Sequence, residues 1–464
     1  MTRSEDVRRM TQSENVRRMT HSDDLRRVTR DVLRTFEWRM PSRLAYWGAV
    51  GLCQFVWGLA ALVWLYQIYT GFHITGMSHP IMWSSYVTAF VFWIGIAHSG
   101  TFIAAVLFLF RAHWRTSIAR VAETMTIVAV MTAGLFPILH LGRAWLFYWL
   151  VPYPNERYLW VNFSSPLIWD ATAIATYFIV SVLFWLLELV PDFAVIRDRS
   201  TGWQAAIFKR LAVGWTGTAM EWRHFRTAYT LLAGLITALV VSVHSIVSWD
   251  FASSVVPGWH STIFAPYFVA GAIFSGLAMI LTLVIPARYL FEIRDYVKID
   301  DLERVAKLIV VLSMILTYSY ASELFFAWYR GNAFERGQYM FRLGGSFAPL
   351  FWVTIVCNSI APLIFLRRRL RRSLPALFLV SLVINAGMWA ERLLVIAGSL
   401  AHEYDPYSWS AYMPSAFEVT ILLGSAGWFL FWFLLLIGHV PPVPIAETKE
   451  HLLEPETHAE GLPA

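Results

Sequence analysis

The sequence predicts an all-α membrane protein with ten transmembrane helices, arranged as two parallel four-helix bundles plus two extra helices. Ten apolar runs of about twenty residues or more lie between Tyr46 and His439, and each is long enough to cross the roughly 30 Å core of a bilayer as a helix. The chain is 57% hydrophobic and 15% charged, whereas a soluble protein has about 25% charged residues. In addition, the sequence of four consecutive runs is repeated, in part, by four later runs.

The segment before the first run, residues 1–45, is polar and basic. It contains a nine-residue repeat that begins at Thr2, Thr11 and Thr20, and each copy reads Thr-x-Ser-acid-polar-apolar-Arg-Arg-apolar. A Ser before an acidic residue can cap a helix, and Arg pairs suit the anionic surface of the cytoplasmic leaflet. We therefore expect a cytoplasmic extension that lies on the membrane or binds a partner, in preference to a disordered tail.

The ten predicted spans follow in order, separated by short polar connections. They are 46–69, 83–111, 122–150, 166–190, 226–248, 263–291, 304–329, 346–366, 375–399 and 415–438. The first extra helix (46–69) precedes the first bundle (83–248), the second bundle occupies 263–399, and the last helix (415–438) precedes a tail (439–464). Because a backbone in lipid must satisfy its own hydrogen bonds, runs of this length are expected to be helical.

The distribution of basic residues predicts the orientation. With the N-terminus inside, the cytoplasmic segments carry 30 Lys and Arg, whereas the external loops carry only Arg157, Arg330, Arg336 and Arg342. The positive-inside rule then places both termini in the cytoplasm. Because these basic residues lie beside spans, they act as topology signals and as contacts to membrane lipids. The net charge of +6 therefore does not indicate a nucleic-acid partner.

Three short matches, in chain order, indicate that four spans are duplicated. They are Ser99-Gly100 with Ser275-Gly276, Arg120-Val-Ala122 with Arg304-Val-Ala306, and Ser165-Pro-Leu-Ile-Trp-Asp170 with Ala348-Pro-Leu-Phe-Trp-Val353. The offsets are 176, 184 and 183 residues. Since four is an even number, both copies have the same orientation in the membrane, which makes this a parallel repeat.

A candidate quinol site lies where the third and fourth spans meet the external surface. His140 and Arg143 are three residues apart and share a helix face, and Asp170 begins the next span. Oxidation of a quinol requires groups that accept two protons, which a His backed by an Asp can do near neutral pH. The aromatic side chains of Tyr148 and Trp169 suit a flat ring.

A plainer interpretation exists for some of these residues. Trp and Tyr are common in the interfacial belt, and Arg143 can extend to lipid head groups. A buried Asp170, however, needs a functional reason. In the repeat Asp170 aligns with Val353 and His140 falls near Glu323, so we expect one quinol site, in the first bundle.

Further polar residues within spans predict proton-conducting chains that run part-way through each half. They are His98, His244, Glu323, Glu391, Arg392 and Glu418, with Glu123 and Lys307 near the cytoplasmic ends. Ionisable groups are costly in lipid and are functional candidates for that reason. The alternative is that they form charge pairs that hold the helices together, and the sequence supports both interpretations equally.

The sequence gives no sign of a redox cofactor bound by this chain. Cys53 and Cys357 lie in separate spans without a partner at metal-ligand spacing, so we expect neither a metal site nor an iron–sulfur cluster. The membrane histidines His98, His140 and His244 are distributed one per span, unlike the paired ligands of a diheme cytochrome b, so we expect no haem. Electrons taken from a quinol would therefore leave to another subunit.

These features resemble the NrfD-like family of polysulfide-reductase-type membrane subunits. The resemblance covers about residues 46–439 and rests on the duplicated unit, on His140-x-x-Arg143 and Trp169-Asp170, and on the stretch Asn385-Ala-Gly-Met-Trp-Ala-Glu-Arg392. It implies two four-helix bundles, no redox cofactor in the chain, and a quinone site near the external surface. Ten spans are most similar to the large quinol-binding membrane subunit of alternative complex III. By position, His140 and Asp170 would bind quinol and accept its protons.

The resemblance also implies the setting. We expect a quinol-oxidising subunit in a bacterial cytoplasmic membrane, using menaquinone or ubiquinone and releasing protons outside. Its expected partners are an external iron–sulfur subunit, multihaem cytochromes c and a sister NrfD-like membrane subunit. Two alternatives stay open: the quinone-linked membrane anchor of a molybdopterin oxidoreductase, and a secondary transporter, to which parallel repeats also apply.

Overall fold

The computed structural model describes residues 25–33, 43–150 and 163–453, with side chains up to residue 450. The first two copies of the nine-residue repeat and most of the third lie outside these residues. Ten helices in the described part are long and apolar enough to cross a membrane, which confirms the predicted fold class. They are α1 (Arg43–Thr70), α2 (Ser85–Leu109), α3 (Ala119–His140), α4 (Pro166–Arg197), α5 (Ala219–Ala252), α6 (Phe264–Leu290), α7 (Ile299–Arg330), α8 (Ala348–Leu366), α9 (Leu374–Leu400) and α10 (Ala416–His439).

The predicted boundaries differ from the observed ones by more than five residues in three helices, α3, α4 and α5. The third span was predicted to run to residue 150, but α3 ends at His140 because Gly142 adopts a left-handed conformation with φ +71°, a common way to end a helix. A 3-10 helix, Ala144–Leu150, follows. Helices α4 and α5 are longer than predicted. At 1.5 Å per residue, the 34-residue α5 extends about 51 Å, so it projects beyond the bilayer core.

Shorter helices outside the spans cover the two ends of the molecule. They are residues 25–33, Gly202–Leu211, Ala333–Gly344 and Ile445–Leu453. Helix α8 is irregular within its span, because a π-helical turn at Val356–Ile360 is followed by a 3-10 segment. Such π turns are frequent near functional sites.

Helices α2 to α5 and helices α6 to α9 form two similar groups. In the first group α2 packs on α3 and α5, and α4 packs on α3 and α5, so the four close a ring. In the second group α6 packs on α7 and α9, and α8 packs on α7 and α9 in the same way. Helix α1 pairs with α10, and α10 packs on α3. The two groups meet mainly through α2 and α6.

Ser99, Ser275 and Gly276 of the repeated Ser-Gly motif lie at this α2–α6 contact, whereas Gly100 faces Ala122 and Thr126 of α3. A Cβ atom on Gly276 would lie 1.3 Å from Ser99 Oγ, and one on Gly95 would lie 3.7 Å from the Ala272 Cα. The helices therefore approach closely where neither has a bulky side chain, which is how transmembrane helices gain packing energy without a hydrophobic drive between them.

The two ends of the helices differ in the connections that they hold. At the end that holds the connections rich in Lys and Arg, here called the basic end, Arg27 pairs with Asp295 at 3.2 Å and Arg372 with Glu303 at 2.6 Å. The N-terminal helix and the C-terminal helix both lie at the basic end. The other end, here called the opposite end, holds the connections between α1 and α2, α3 and α4, α5 and α6, α7 and α8, and α9 and α10.

Candidate functional site

The opposite end of the first bundle brings three ionisable side chains to the same level. His140 is the last residue of α3, Asp170 lies in the first turns of α4, and Asp250 lies near the end of α5. Since α4 packs on both α3 and α5, the helix turns that carry the three residues belong to neighbouring helices. Two of them, His140 and Asp170, are the predicted catalytic residues.

Asp250 is the member of this group that sequence reasoning missed. Its carboxyl group and that of Asp170 are close enough to interact electrostatically. The tryptophans that precede them, Trp169 and Trp249, also pack edge to face with ring centroids 6.3 Å apart. The dipeptide Trp-Asp thus occurs on both helices, and this recurrence was the signal in the sequence that could have identified Asp250.

Each of the three residues has a buried polar atom without a hydrogen bond. These atoms are Asp170 Oδ1, Asp250 Oδ1 and His140 Nδ1. An unmade hydrogen bond at a buried polar atom costs about 1–3 kcal/mol, so such atoms usually have an additional ligand or water molecule. A small molecule with two hydroxyl groups would supply hydrogen-bond partners for these atoms, and the three side chains therefore fit a quinol.

His140 Nδ1 and Asp170 Oδ1 are both without a hydrogen bond. The His140 ring packs near Phe72, with centroids 6.4 Å apart. Phe72 comes from the connection after α1, and its ring lies against Gly142, where a Cβ atom would be 2.5 Å from Phe72 Cε2. A segment outside the first bundle thus covers the His140 turn.

The remaining predicted quinol-site residues lie nearer the surface. Arg143 is exposed, and Tyr148 packs edge to face with Trp149 in the 3-10 helix after α3. Trp169 is 39% exposed and donates a hydrogen bond from Nε1 to the Phe163 carbonyl at 2.6 Å. These positions agree with a membrane-interface role as well as with the rim of a binding site, so the quinol-binding assignment of these three residues stays a prediction.

The structure brings His98 and His244 together, although they lie 146 residues apart in the chain. Their Nδ1 atoms are 3.0 Å apart in a hydrogen bond between α2 and α5. Both side chains are fully buried, and the Nε2 atom of each lacks a hydrogen bond. The ring of Tyr177 from α4 lies 4.4 Å from the His98 ring. The histidines that seem dispersed in the sequence therefore include one contact pair.

A second buried cluster lies at the opposite end of the second bundle. Glu391 and Arg392 of α9 pair at 3.5 Å, and Glu323 of α7 interacts electrostatically with Arg392 and with Arg342. Arg342 belongs to the amphipathic helix Ala333–Gly344, which closes this end of the bundle. Glu323, Tyr339, Arg342 and Glu391 line an enclosed cavity of about 20 Å³.

A third cluster lies at the basic end of the first bundle. Arg115 contacts Glu188 at 3.3 Å, Glu123 at 3.8 Å and the C-terminal Glu447, and it also contacts the hydroxyl of Tyr229. Burial lowers the pKa of Arg115, but Tyr229 and the surrounding carboxylates raise it well above its ordinary value. Glu123 thus belongs to a buried, ion-paired network that also contains Arg120 and Asp192, which are 2.7 Å apart.

Two predicted proton-pathway residues, Lys307 and Glu418, have different surroundings from the rest. Lys307 is more than half exposed and pairs with Glu303 at 3.6 Å, so it lies outside the buried clusters. Glu418 is fully buried and accepts hydrogen bonds from Ser85, Tyr412 and the backbone of Gly76 and Ser415, at 2.6–2.9 Å. These bonds fasten the α1–α2 connection to α10, which favours a structural role for Glu418.

The side chains that could ligate a metal are dispersed. Within residues 25–33, 43–150 and 163–450, no three His, Cys, Asp or Glu side chains converge as metal ligands would. Cys53 and Cys357 are free thiols in different helices.

Comparison with known proteins provides the family. The sequence model for "Polysulphide reductase, NrfD" matches residues 73–402. The chain is also 27% identical over 402 residues to a Halobacterium salinarum protein described as a membrane component of dimethyl sulfoxide reductase. That alignment covers 82% of this chain and 87% of the relative. The matched region contains all of α2 to α9, and therefore both bundles.

Proposed function

The chain belongs to the NrfD polysulphide reductase family, and on that premise we propose that it is the quinol-oxidising membrane subunit of an electron-transfer complex. Quinol binds at the opposite end of the first bundle, between Asp170, Asp250 and His140. The buried polar atoms of these residues that lack hydrogen bonds are the observation that carries the proposal. Two quinol hydroxyls supply the partners that these atoms lack.

The chemistry divides between protons and electrons. A quinol that becomes a quinone loses two electrons and two protons. Asp170 and Asp250 are two carboxylates that repel one another when both are ionised, so a proton from the substrate is favourable on either. His140 is a further base at the same level. A separate subunit docked on this end accepts the electrons, because this chain is proposed to hold no redox centre.

The positive-inside rule supports the sidedness of the reaction. The basic end then faces the cytoplasm with both termini, and the quinol site faces outward, so the two protons are released outside. The accepting partner is an external iron–sulfur subunit, in a complex that also contains multihaem cytochromes c and a sister NrfD-like membrane subunit, as in alternative complex III. The membrane is the bacterial cytoplasmic membrane, and the quinol is menaquinol or ubiquinol.

One observation favours a second candidate complex. The Halobacterium relative is described as part of a reductase, and a reductase consumes electrons that its membrane component must collect. The same quinol site would then feed a molybdopterin subunit in place of cytochromes. The two candidates share the site and differ only in the partner. The transporter alternative has no support from the family.

The site is tested with Asp170→Asn and Asp250→Asn in the complex purified from native membranes. Each substitution keeps the side-chain volume and removes a proton-accepting group, so quinol oxidation should fall by about a hundredfold or more. Asp295→Asn, at an exposed ion pair of the basic end, is the matched control and should leave turnover unchanged. Assembly is checked from the set of proteins present in the purified complex. Wild-type turnover in both site variants would refute the assignment.

The partner is tested by mass spectrometry of the proteins that co-purify in mild detergent. Multihaem cytochromes c with an iron–sulfur protein support the alternative-complex-III arrangement. A molybdopterin subunit supports the second candidate and keeps the quinol site. A chain that purifies alone contradicts both.

A further inference from the structure

A connection at the opposite end joins the two extra helices to the first bundle. It comprises residues 71–84, between α1 and α2, and is here called the strap. Helices α1 and α10 pack on one another and lie outside the residues 73–402 that match the family model. The contacts of the strap show how these two helices reach the candidate quinol site.

Phe72 makes the contact at the first end of the strap. Its ring lies against the backbone of Gly142, where a Cβ atom would be 2.5 Å from Phe72 Cε2 and 3.3 Å from both Cδ2 and Cζ. Gly142 also has φ +71°, a conformation that favours glycine. Two separate requirements thus keep this position free of a side chain, and one of them is space for the Phe72 ring.

His140 depends on this contact because it is the last residue of α3. Helix ends fray, and a polar side chain at such an end can readily bond to water. His140 Nδ1 is nevertheless buried and without a hydrogen bond, and the Phe72 ring lies 6.4 Å from the imidazole. An apolar ring from the strap therefore covers the turn, helps to exclude water from it, and leaves this nitrogen available to a quinol hydroxyl.

The other end of the strap lies near the turn of Asp250. The Trp83 ring packs edge to face on Phe251, with centroids 6.1 Å apart, and lies 6.0 Å from the Trp259 ring. Phe251 follows Asp250 directly at the end of α5. The strap therefore contacts two of the three helix turns that carry the candidate site residues.

Glu418 of α10 anchors the strap between these two ends. Its buried carboxylate accepts hydrogen bonds from the Gly76 backbone at 2.6 Å and from the hydroxyl of Ser85, the first residue of α2, at 2.7 Å. A Cβ atom at Gly76 would lie 2.2 Å from the Met413 carbonyl oxygen, so the strap lies directly against the connection before α10. The strap is thus held by α10 and not by the first bundle alone.

We propose that α1 and α10 serve the quinol site through the strap, and that Phe72 is a positioning residue for His140. Phe72 holds the turn after α3, and that turn fixes the imidazole where it bonds to a quinol hydroxyl. A misplacement of about 1 Å near a reacting group can lower a rate about a hundredfold, so a contact that fixes the turn affects the reaction. This inference rests on the proposed quinol site and adds to it two helices from outside the matched region.

The test compares Gly142→Ala with Gly214→Ala in the complex purified from native membranes. Both glycines have a left-handed backbone, with φ +71° and +75°, so an alanine strains the two to a similar extent. A Cβ atom at Gly214 would meet nothing within 4 Å, whereas one at Gly142 meets the Phe72 ring. Quinol oxidation is measured with decylubiquinol and with menadiol. Gly142→Ala should raise KM about tenfold, the effect of losing one buried hydrogen bond, and Gly214→Ala should leave KM unchanged.

KM separates positioning from a general loss of structure. A partly unfolded preparation has fewer active sites, which lowers the maximal rate and leaves KM unchanged. Phe72→Ala should raise KM as Gly142→Ala does, and Phe55→Ala, at a phenylalanine of α1 that is 68% exposed, should not. Combining Gly142→Ala with Phe72→Ala should raise KM no further than the larger single effect, because both substitutions act on one contact.

A wild-type KM in both Phe72→Ala and Gly142→Ala would overturn the proposal, as would two effects that multiply in the double variant. If Gly142→Ala does not assemble with its partner proteins, Phe72→Leu and Phe55→Leu are compared, and the same difference in KM decides. Glu418→Gln leaves the contact residues themselves intact and should also raise KM. A wild-type KM in that variant would overturn the role given to α10.

Asp170→Asn is measured in parallel, so that a failure of the strap proposal is distinguished from a failure of the quinol site. If Asp170→Asn abolishes turnover while the Phe72 and Gly142 variants keep the wild-type KM, the strap proposal is wrong and the quinol site stands. Wild-type turnover in Asp170→Asn would overturn the quinol site, and the strap proposal with it.

Discussion

Replacing Gly276 with Ala tests whether the two bundles depend on one close helix crossing. The added Cβ would lie 1.3 Å from Ser99 Oγ and 2.2 Å from Ser99 Cβ. The hydroxyl can rotate away, but the Ser99 Cβ is held by the backbone of α2. Because carbon atoms in contact are about 3.5–4.0 Å apart, α2 and α6 must separate by more than about 1 Å.

The destabilisation caused by Gly276→Ala is estimated by comparison with Gly234→Ala. A Cβ at Gly234, within α5, would meet nothing within 4 Å, so that variant gains helix stability of about 0.4–1 kcal/mol without a clash. Gly276→Ala has the same helical gain, and the difference between the two variants therefore isolates the overpacking. Forced insertion of a methyl group into a packed interior costs about 1–3 kcal/mol.

The assay is thermal unfolding in detergent, followed by the fluorescence of the 23 tryptophans. Gly276→Ala should unfold at a lower temperature than Gly234→Ala, and adding Ser99→Gly should recover most of the loss, since it removes both clashing atoms. Equal unfolding temperatures for the two glycine variants would refute the reasoning. A double variant no more stable than Gly276→Ala would do so as well.

Two further predictions concern carboxylates that bind buried partners. Glu418→Ala removes the acceptor of hydrogen bonds from Ser85 and three other donors. It should destabilise the chain by at least about 1–3 kcal/mol, because buried donors are left without an acceptor, and this is measured as a lower unfolding temperature. Glu447→Gln, which weakens a pair with the buried Arg115, should cost about 1–3 kcal/mol, whereas Glu450→Gln, in an exposed pair on the same helix, should cost about 1 kcal/mol or less. Equal losses at Glu447 and Glu450 would show that burial of the pair has no effect.

The ten helices were predictable because their cause is local. A run of apolar residues in lipid satisfies its backbone hydrogen bonds within the run itself, so length and composition were sufficient. The predicted boundary at residue 150 was wrong because α3 ends at His140, two residues before the left-handed Gly142. A single left-handed residue outweighs the hydrophobicity of the sequence that follows.

The candidate site was predictable only in part. That His140 and Asp170 lie at the same end of neighbouring helices follows from chain order and from alternating orientation. That Asp170 faces Asp250, while His140 lies near Phe72, depends on the rotation of each helix about its axis. That rotation is determined by packing with helices distant in the sequence.

The sequence by itself determined the membrane class and the number of helices, and it predicted their orientation and the duplicated unit, because each depends on composition or on short-range pattern. Only the tertiary structure decided which polar residues meet. The His98–His244 pair joins residues 146 positions apart, and the Phe268 ring of α6 lies near both His244 of α5 and Arg392 of α9. Such contacts are decided by how closely α2, α5, α6 and α9 approach, and that depends on where small residues permit the helices to pack.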